Sequence, residues 1–402
     1  MISNNDNLVF EQVTDPEIIR FTHLANASSW QPEFMSREDY AIRERILGST
    51  DISTKHKDVE MQKRFAEASE HLGIKYYVLR DLNLPASSKT SQIVSSCETL
   101  NRVGWSITPH SQGEAVPVLT ACIGGVFTIP EHRGKKYAAE MITRLNQFFD
   151  GLSSTAGNSG FLKNIVIFLY SEVGEYYSKF GYVSRPVPLH SVKNLDAVLD
   201  SYCGGLQVGP NDRDIGFDGC RELEEFEKRS SLKSLKEQHA RNPDSFKFAL
   251  EPSNDNFKLF HERSLYQKKF LDPGSTARFG YALANGSHIV WHLNYWPHER
   301  SLYILKLQIN EDTENAEDQE KDLKKLLAQA VHEAKEHNVK SLQFWDTELG
   351  QQEWAKPFLG FLQQAEEPSN LYQENPSRSA IRIANVAPEK ILWVNNAKFC
   401  WF

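Results

Sequence analysis

Apolar and polar positions alternate between two periods along the first half of the chain. Leu8-Val9-Phe10-Glu11-Gln12-Val13 reads as a strand, and Thr14-Asp15-Pro16 as a helix start with Asp15 at the cap. A second helix is predicted after Ser36, with Glu38 and Asp39 in its first turn and Gly48 as its stop. Strands follow at Lys75–Leu79 and Ile93–Leu100, then a nearly continuous apolar run from Val118 to Thr128. The next segment repeats apolar residues every three or four positions: Ala138, Met141, Ile142, Leu145, Phe148 and Phe149. That spacing is one helical stripe packed on a sheet. Ser153 to Gly160 reads as a loop, Ile165 to Tyr170 as a buried strand, and Tyr176-Tyr177 as part of a short helix ending at Gly181.

The second half starts with a charged helical stretch, Arg221 to Arg241, and then reads as strands. Gly280–Leu283, Ser287–Tyr295 and Leu302–Ile309 form a predicted meander with turns at Asn285-Gly286 and Pro297-His298. Glu311 to Glu320, with six acidic residues and no basic one, reads as a solvated loop and helix start. The stripe Leu323, Leu326, Leu327, Ala330, Val331 and Ala334 is a further helix. A strand at Ser341–Trp345 and a short helix around Trp354–Phe361 complete the pattern. Both halves thus follow the order sheet, helix, strand, helix. The expectation is an α/β (α+β) chain with two similar folds in tandem, each a mixed sheet flanked by helices. The boundary falls between Tyr202 and Asp218, giving domains 1–205 and 218–402.

Composition narrows the function classes. The 402 residues carry 45 basic and 53 acidic side chains, a net charge of −8, which argues against a coat for nucleic acid or an anionic membrane. No apolar run reaches the roughly 18 residues of a membrane helix. The polar start, Met1 to Asn7, lacks the basic and apolar parts of a signal peptide. Five scattered cysteines with no CxxC pair indicate neither a disulfide framework nor a zinc site. A reducing compartment is expected: cytoplasm, with the nucleus as a second location. Cys97 and Cys122, on apolar strands, are read as buried and inert.

The informative segment is Val126-Phe127-Thr128-Ile129-Pro130-Glu131-His132-Arg133-Gly134-Lys135-Lys136-Tyr137-Ala138. A buried strand ends, a basic loop follows, and an amphipathic helix begins. Amides at a helix start have no intrahelical partner, and the helix dipole adds positive charge, so the place suits a pyrophosphate. Arg133, Lys135 and Lys136 add formal charge. A βα turn with solvated basic residues explains the loop alone equally well. His132 is read as solvated.

A second element follows, Phe168-Leu169-Tyr170-Ser171-Glu172-Val173-Gly174-Glu175-Tyr176-Tyr177 running on to Gly181. In this order the two elements resemble motifs A and B of the GNAT acetyltransferases. That resemblance implies acetyl-CoA as co-substrate and no metal. It implies that Arg133, Gly134, Lys135, Lys136, Tyr137 and Ala138 hold the pyrophosphate. Phe127, Thr128 and Ile129 would pair with the pantetheine arm, with Ser171 nearby. Tyr177 matches the tyrosine that protonates the departing thiolate, and Tyr176 is the one expected to be pure core. Lys136 stands where the family has its central glycine, and a side chain there either crowds the phosphate or adds an ammonium contact.

Ser96-Cys97-Glu98-Thr99-Leu100, Leu169 to Gly174, Ile289-Val290-Trp291-His292 and Leu302 to Leu305 resemble the fungal L-lysine N6-acetyltransferase family. The resemblance implies a degenerate GNAT-like C-terminal domain without a second CoA loop. It implies an acceptor that is free lysine or a similar small cationic amine or amino acid, and no nucleic-acid or membrane partner. Glu98 is the candidate to meet the substrate ammonium or act as base, with a plain ion pair to Arg102 as the alternative. Trp291, His292 and Trp296 either line a pocket or belong to the core. Two other functions stay open: a catalytically weak CoA-binding or interaction protein, and a protein or peptide lysine acetyltransferase.

Overall fold

The structure is a computed structural model that describes residues 7–157, 159–274, 276–295, 300–313, 315–350 and 352–402. Strand β1 (Leu8–Val13) leads into helix α1 (Pro16–Trp30), where the Asp15 side chain accepts from the Glu17 amide. Helix α2 (Arg37–Leu47) opens on a capping box in which Ser36 and Asp39 bond reciprocally, an arrangement worth about 1 kcal/mol. After α3 (Val59–Phe65) come β2 (Gly73–Asp81), β3 (Ile93–Ile107) and β4 (Val116–Thr128), each antiparallel to the one before.

Helix α4 (Tyr137–Thr155) buries the predicted stripe, with Met141, Ile142 and Leu145 fully covered. Each such side chain contributes roughly 1.5–3 kcal/mol. The helix continues through Ser153–Thr155, which the composition assigns to a loop. Ser154 and Thr155 donate back to the Gly151 carbonyl, both at 2.9 Å, and so stay compatible with the helical turn.

Strands β5 (Val166–Ser171), β6 (Val183–Ser184), β7 (Leu189–Val192) and β8 (Arg213–Ile215) follow, then helix α5 (Glu224–Arg241). Between Arg241 and Gly280 the sequence reading names no helix. The structure has β9 (Phe246–Leu250) there, but also the long helix α6 (Asn254–Leu271). Its buried face mixes Phe257 and Phe260 with Asn256, His261, Ser264 and Gln267, which dilutes the apolar stripe. The meander is β10 (Gly280–Ala282), β11 (His288–Asn294) and β12 (Ser301–Gln308), as the pattern predicts. The turn expected at Pro297-His298, and Trp296, lie outside the described residues. Helix α7 (Ala316–Glu336), β13 (Ser341–Trp345), α8 (Lys356–Ala365), β14 (Arg378–Ile383) and β15 (Ile391–Trp393) complete the chain.

Two mixed sheets result. The first runs β1-β2-β3-β4-β5-β14-β6, with β9 on β3 and β15 on β9; the second runs β7-β13-β12-β11-β10-β8. In each, an antiparallel meander passes through a helix into a parallel strand: β4-α4-β5 and β12-α7-β13. The chain crosses between sheets on both sides of residues 205–218. Strand β7 joins the second sheet, whereas β9, β14 and β15 return to the first. Trp291 is fully buried in the second core and His292 in the seam beside α6, so both are core residues.

Candidate active site

Strands β4 and β5 are bonded in parallel only from Thr120–Val166 to Ile123–Leu169. Beyond that point β4 continues to Thr128 on β3 alone, and β5 to Ser171 on β14 alone. A fork opens between the two central strands. Its cause is local. Ser96 pairs with Phe127 while Glu98 pairs with Gly124, so β4 carries one extra residue. Gly125, at a φ of +57°, occupies that bulge. A bulge bends its strand and strengthens its twist, which separates β4 from its parallel neighbour. A Cβ on Gly125 would also lie 3.4 Å from the Glu98 Cγ.

The basic loop sits at the open end of the fork. Gly134 takes a φ of +83°, and Lys136 is left-handed at φ 67°, ψ 17°. Lys136 therefore adopts the backbone that a glycine would favour, with its side chain exposed to solvent. The first bond of α4 runs from the Glu140 amide to the Lys136 carbonyl, leaving the Tyr137, Ala138 and Ala139 amides without intrahelical partners. Arg133 folds back: its Nε donates to the Thr128 carbonyl at 3.2 Å and its guanidinium covers the Phe127 ring. The Tyr137 side chain is buried and donates to Asp81, so only its backbone faces the loop. Burial and that carboxylate push the Tyr137 hydroxyl up to about 12. His132, expected to be solvated, is half-buried with its ring edge toward Tyr137.

On the β5 side, Ser171 is turned inward. Its hydroxyl donates to the Gly174 carbonyl at 2.8 Å and accepts from the Val173 amide, shaping the turn that carries the tyrosines. Tyr177 packs on the core with its ring edge-on to Tyr176 and Tyr182. Burial, then the nearby Cys97, Tyr176 and Glu172, raise its hydroxyl well above the usual phenol range. Tyr176, expected to be the core residue of the pair, instead lies under the Lys179 ammonium at 3.6 Å. The 3-10 geometry of Gly174–Phe180 turns the second tyrosine inward rather than the first.

Glu98 lies across the sheet between Tyr76 and Gly124. It does not pair with Arg102, which donates to the Phe399 and Cys400 carbonyls. Its ionic partner is His23 of α1, with Nε2 at 3.5 Å. Burial lowers the His23 pKa, but the Glu98 and Glu44 charges outweigh it, and the net direction is upward. Glu98 also lines a cavity of about 60 Å³ with Glu44, Gly124, Gly125, Arg263 and Phe402. Sequence reasoning passed over His23, Glu44 and Arg263. The start of α6 was legible in Ser253-Asn254-Asp255, and would have placed Arg263 on a helix. Cys97, Cys122 and Cys400 are all buried, and burial raises each thiol, that of Cys400 to about 11. Among the described residues no cluster of potential metal ligands occurs, and no helix is long and apolar enough to cross a membrane.

Over 406 aligned residues the chain is 44% identical to the Saccharomyces cerevisiae protein YGR111W, an uncharacterized protein, covering 100% of this chain and 99% of the other. The chain belongs to the family of that yeast protein. Residues 216–402 match the family model described as the LYC1 GNAT-like C-terminal domain. That matched stretch contributes strands to both sheets, β10 to β13 to the second and β9, β14 and β15 to the first. A lysine acetyltransferase of Yarrowia lipolytica is 29% identical over 185 residues, 43% of this chain and 40% of that protein. A GCN5-related N-acetyltransferase structure from Anabaena variabilis aligns with a TM-score of 0.49 and 13% identity, covering 94% of this chain and 73% of that one.

Proposed function

We propose that the protein is an acetyl-CoA-dependent N-acetyltransferase acting on the side-chain amine of free lysine or a similar small cationic amine. The fork between β4 and β5, opening onto the basic loop, is the observation that carries this reading. The partial likeness to the Yarrowia lysine acetyltransferase supports the acceptor class.

The residues present fit a CoA ester. The free amides at the start of α4 suit a pyrophosphate, with Lys135 and Lys136 beside them. The β4 edge from Gly124 to Thr128, unpaired on its β5 side, offers backbone groups to an extended amide-containing arm. When bound, acetyl-CoA supplies an activated acyl group. Backbone N–H groups past the Gly125 bulge would be available to an acyl oxygen. Glu98, backed by His23, would take up the amine proton, and Tyr177 would supply a proton to the leaving thiolate. A raised Tyr177 pKa keeps that proton in place at neutral pH.

Calorimetric titration with acetyl-CoA tests the reading first: saturable binding at a single site is expected, and a folded protein that binds none overturns it. A thiol-release assay across free amino acids, diamines and lysine peptides then identifies the acceptor. Lys136→Gly provides a separate check. Because Lys136 already has glycine's backbone and points into solvent, its removal should not open the loop. Acetyl-CoA affinity is expected to fall by roughly fivefold, about 1 kcal/mol for a lost charged contact. The fold gains about 0.5–1 kcal/mol from relief of the left-handed residue. An increase in affinity would show instead that the lysine obstructs the site.

A further inference from the structure

The cavity beside the fork holds a charge that the fold does not answer. Arg263, on α6, lines it together with Glu44 and Glu98. Among the described residues, no carboxylate lies at ion-pair distance from the Arg263 guanidinium. Its contacts are ring faces, Trp401 at 4.8 Å and Phe260 at 6.0 Å. Both acidic neighbours are already engaged: Glu44 accepts from the Arg43 Nε at 2.7 Å, and Glu98 faces His23. On the same Trp401 ring sits a second cation without a carboxylate partner, the Lys398 ammonium at 3.9 Å. Burial, then the Arg263 charge, lower the Lys398 pKa to about 7. Burial also lowers Arg263, to about 10, which leaves it charged at neutral pH.

Half-buried charges without partners are costly, and proteins retain them where a ligand completes the pair. The position sharpens the point. Gly124 and Gly125 form one wall of the cavity, so it adjoins the place where β4 leaves β5. Its volume of about 60 Å³ suits a small charged group and not a whole acceptor. A guanidinium fork is the side chain best shaped to bind a carboxylate through two parallel bonds.

We infer that this cavity is an acceptor subsite in which Arg263 binds a carboxylate, so that the acceptor is a free amino acid and not a diamine or a lysine within a peptide. The inference rests on the proposed transferase function for the meaning of "acceptor", but the subsite can be read without turnover. Glu98 stays at the fork side, where the reacting amine would lie.

The test is calorimetry on the full chain in the presence of coenzyme A, using L-lysine, L-lysinamide and pentane-1,5-diamine. The three share a primary amine on an alkyl chain, and only the first has a carboxylate. L-Lysine is expected to bind at least about tenfold more tightly than either analogue, as for one charge-assisted pair. Arg263→Gln should erase that margin without weakening the diamine, and Arg263→Lys should keep part of it because charge remains. Equal binding of lysine and lysinamide overturns the inference. So does a margin that survives in a folded Arg263→Gln variant, or no lysine binding at all. If Arg263→Gln does not fold, the wild-type comparison and Arg263→Lys decide. Coenzyme A titrated alone reads the other proposal: its failure with the lysine margin intact would remove the transferase reading and leave the subsite standing.

Discussion

Tyr177→Phe is expected to lower turnover by at least about 100-fold, the usual range for loss of a positioned general acid, while leaving acetyl-CoA affinity nearly unchanged. The ring of Tyr177 packs between Tyr176, Tyr182 and the α4 core, and phenylalanine preserves all of that contact. Only the hydroxyl goes. Its raised pKa means that it is protonated across the working pH range, so its removal costs a proton source and not a charge. The measurement is kcat against KM for both substrates, with thiol release as the signal. A loss confined to kcat supports the acid role. Unchanged turnover would refute it and return Tyr177 to the core.

The second large effect concerns stability. Glu348 is buried beside β12, and its carboxylate accepts from the Leu307 amide. Burial raises its pKa from 4.5 to about 7, against the opposing pull of Lys306 and that amide. The sign follows directly. Between pH 4.5 and about 7 the folded chain keeps a proton that the unfolded chain releases, so rising pH destabilises the fold across that window. At about 1.4 kcal/mol per tenfold change in proton affinity, the total is on the order of 3 kcal/mol, constant above pH 7. Glu348→Gln retains an acceptor for Leu307 but cannot ionise. It should match the wild type near pH 4 and exceed it at pH 8 by that order. Urea unfolding at both pH values is the check, and parallel curves for the two proteins would sink the prediction.

Much of the first sheet was legible because its elements obey clean periods. The Asp15-Pro16 start, the Ser36 cap with Asp39, and the α4 stripe are local signals, and the structure realises each one. The start of helix α6 was legible in Ser253-Asn254-Asp255 but its length was not, since its buried face mixes Phe257 and Phe260 with Asn256, His261, Ser264 and Gln267 and so lacks a clean apolar stripe. The helical end at Ser153–Thr155 was misread for the converse reason. Residues typical of loops can bond back to their own helix. For the candidate site, the loop at Arg133–Ala138 and the tyrosine pair stood out as residue types at a spacing. Which tyrosine turns inward did not, because that depends on the pitch of a single 3-10 turn.

The sequence by itself determined the α/β pattern, the place of the basic loop, and the acidic balance of −8 that leaves that loop as a local exception. These are properties of neighbours along the chain, set by side-chain period, capping and charge. The tertiary structure alone decided that β14 returns to lie beside β5, and that one extra residue at Gly125 opens the central fork. It alone brought Glu44 of α2, Glu98 of β3 and Arg263 of α6 around one cavity. Those residues are far apart in sequence, and no local rule links them. What joins them is packing: α1, α2 and α6 cover one face of a sheet whose strands diverge beneath them, and charge collects where the backbone no longer pairs.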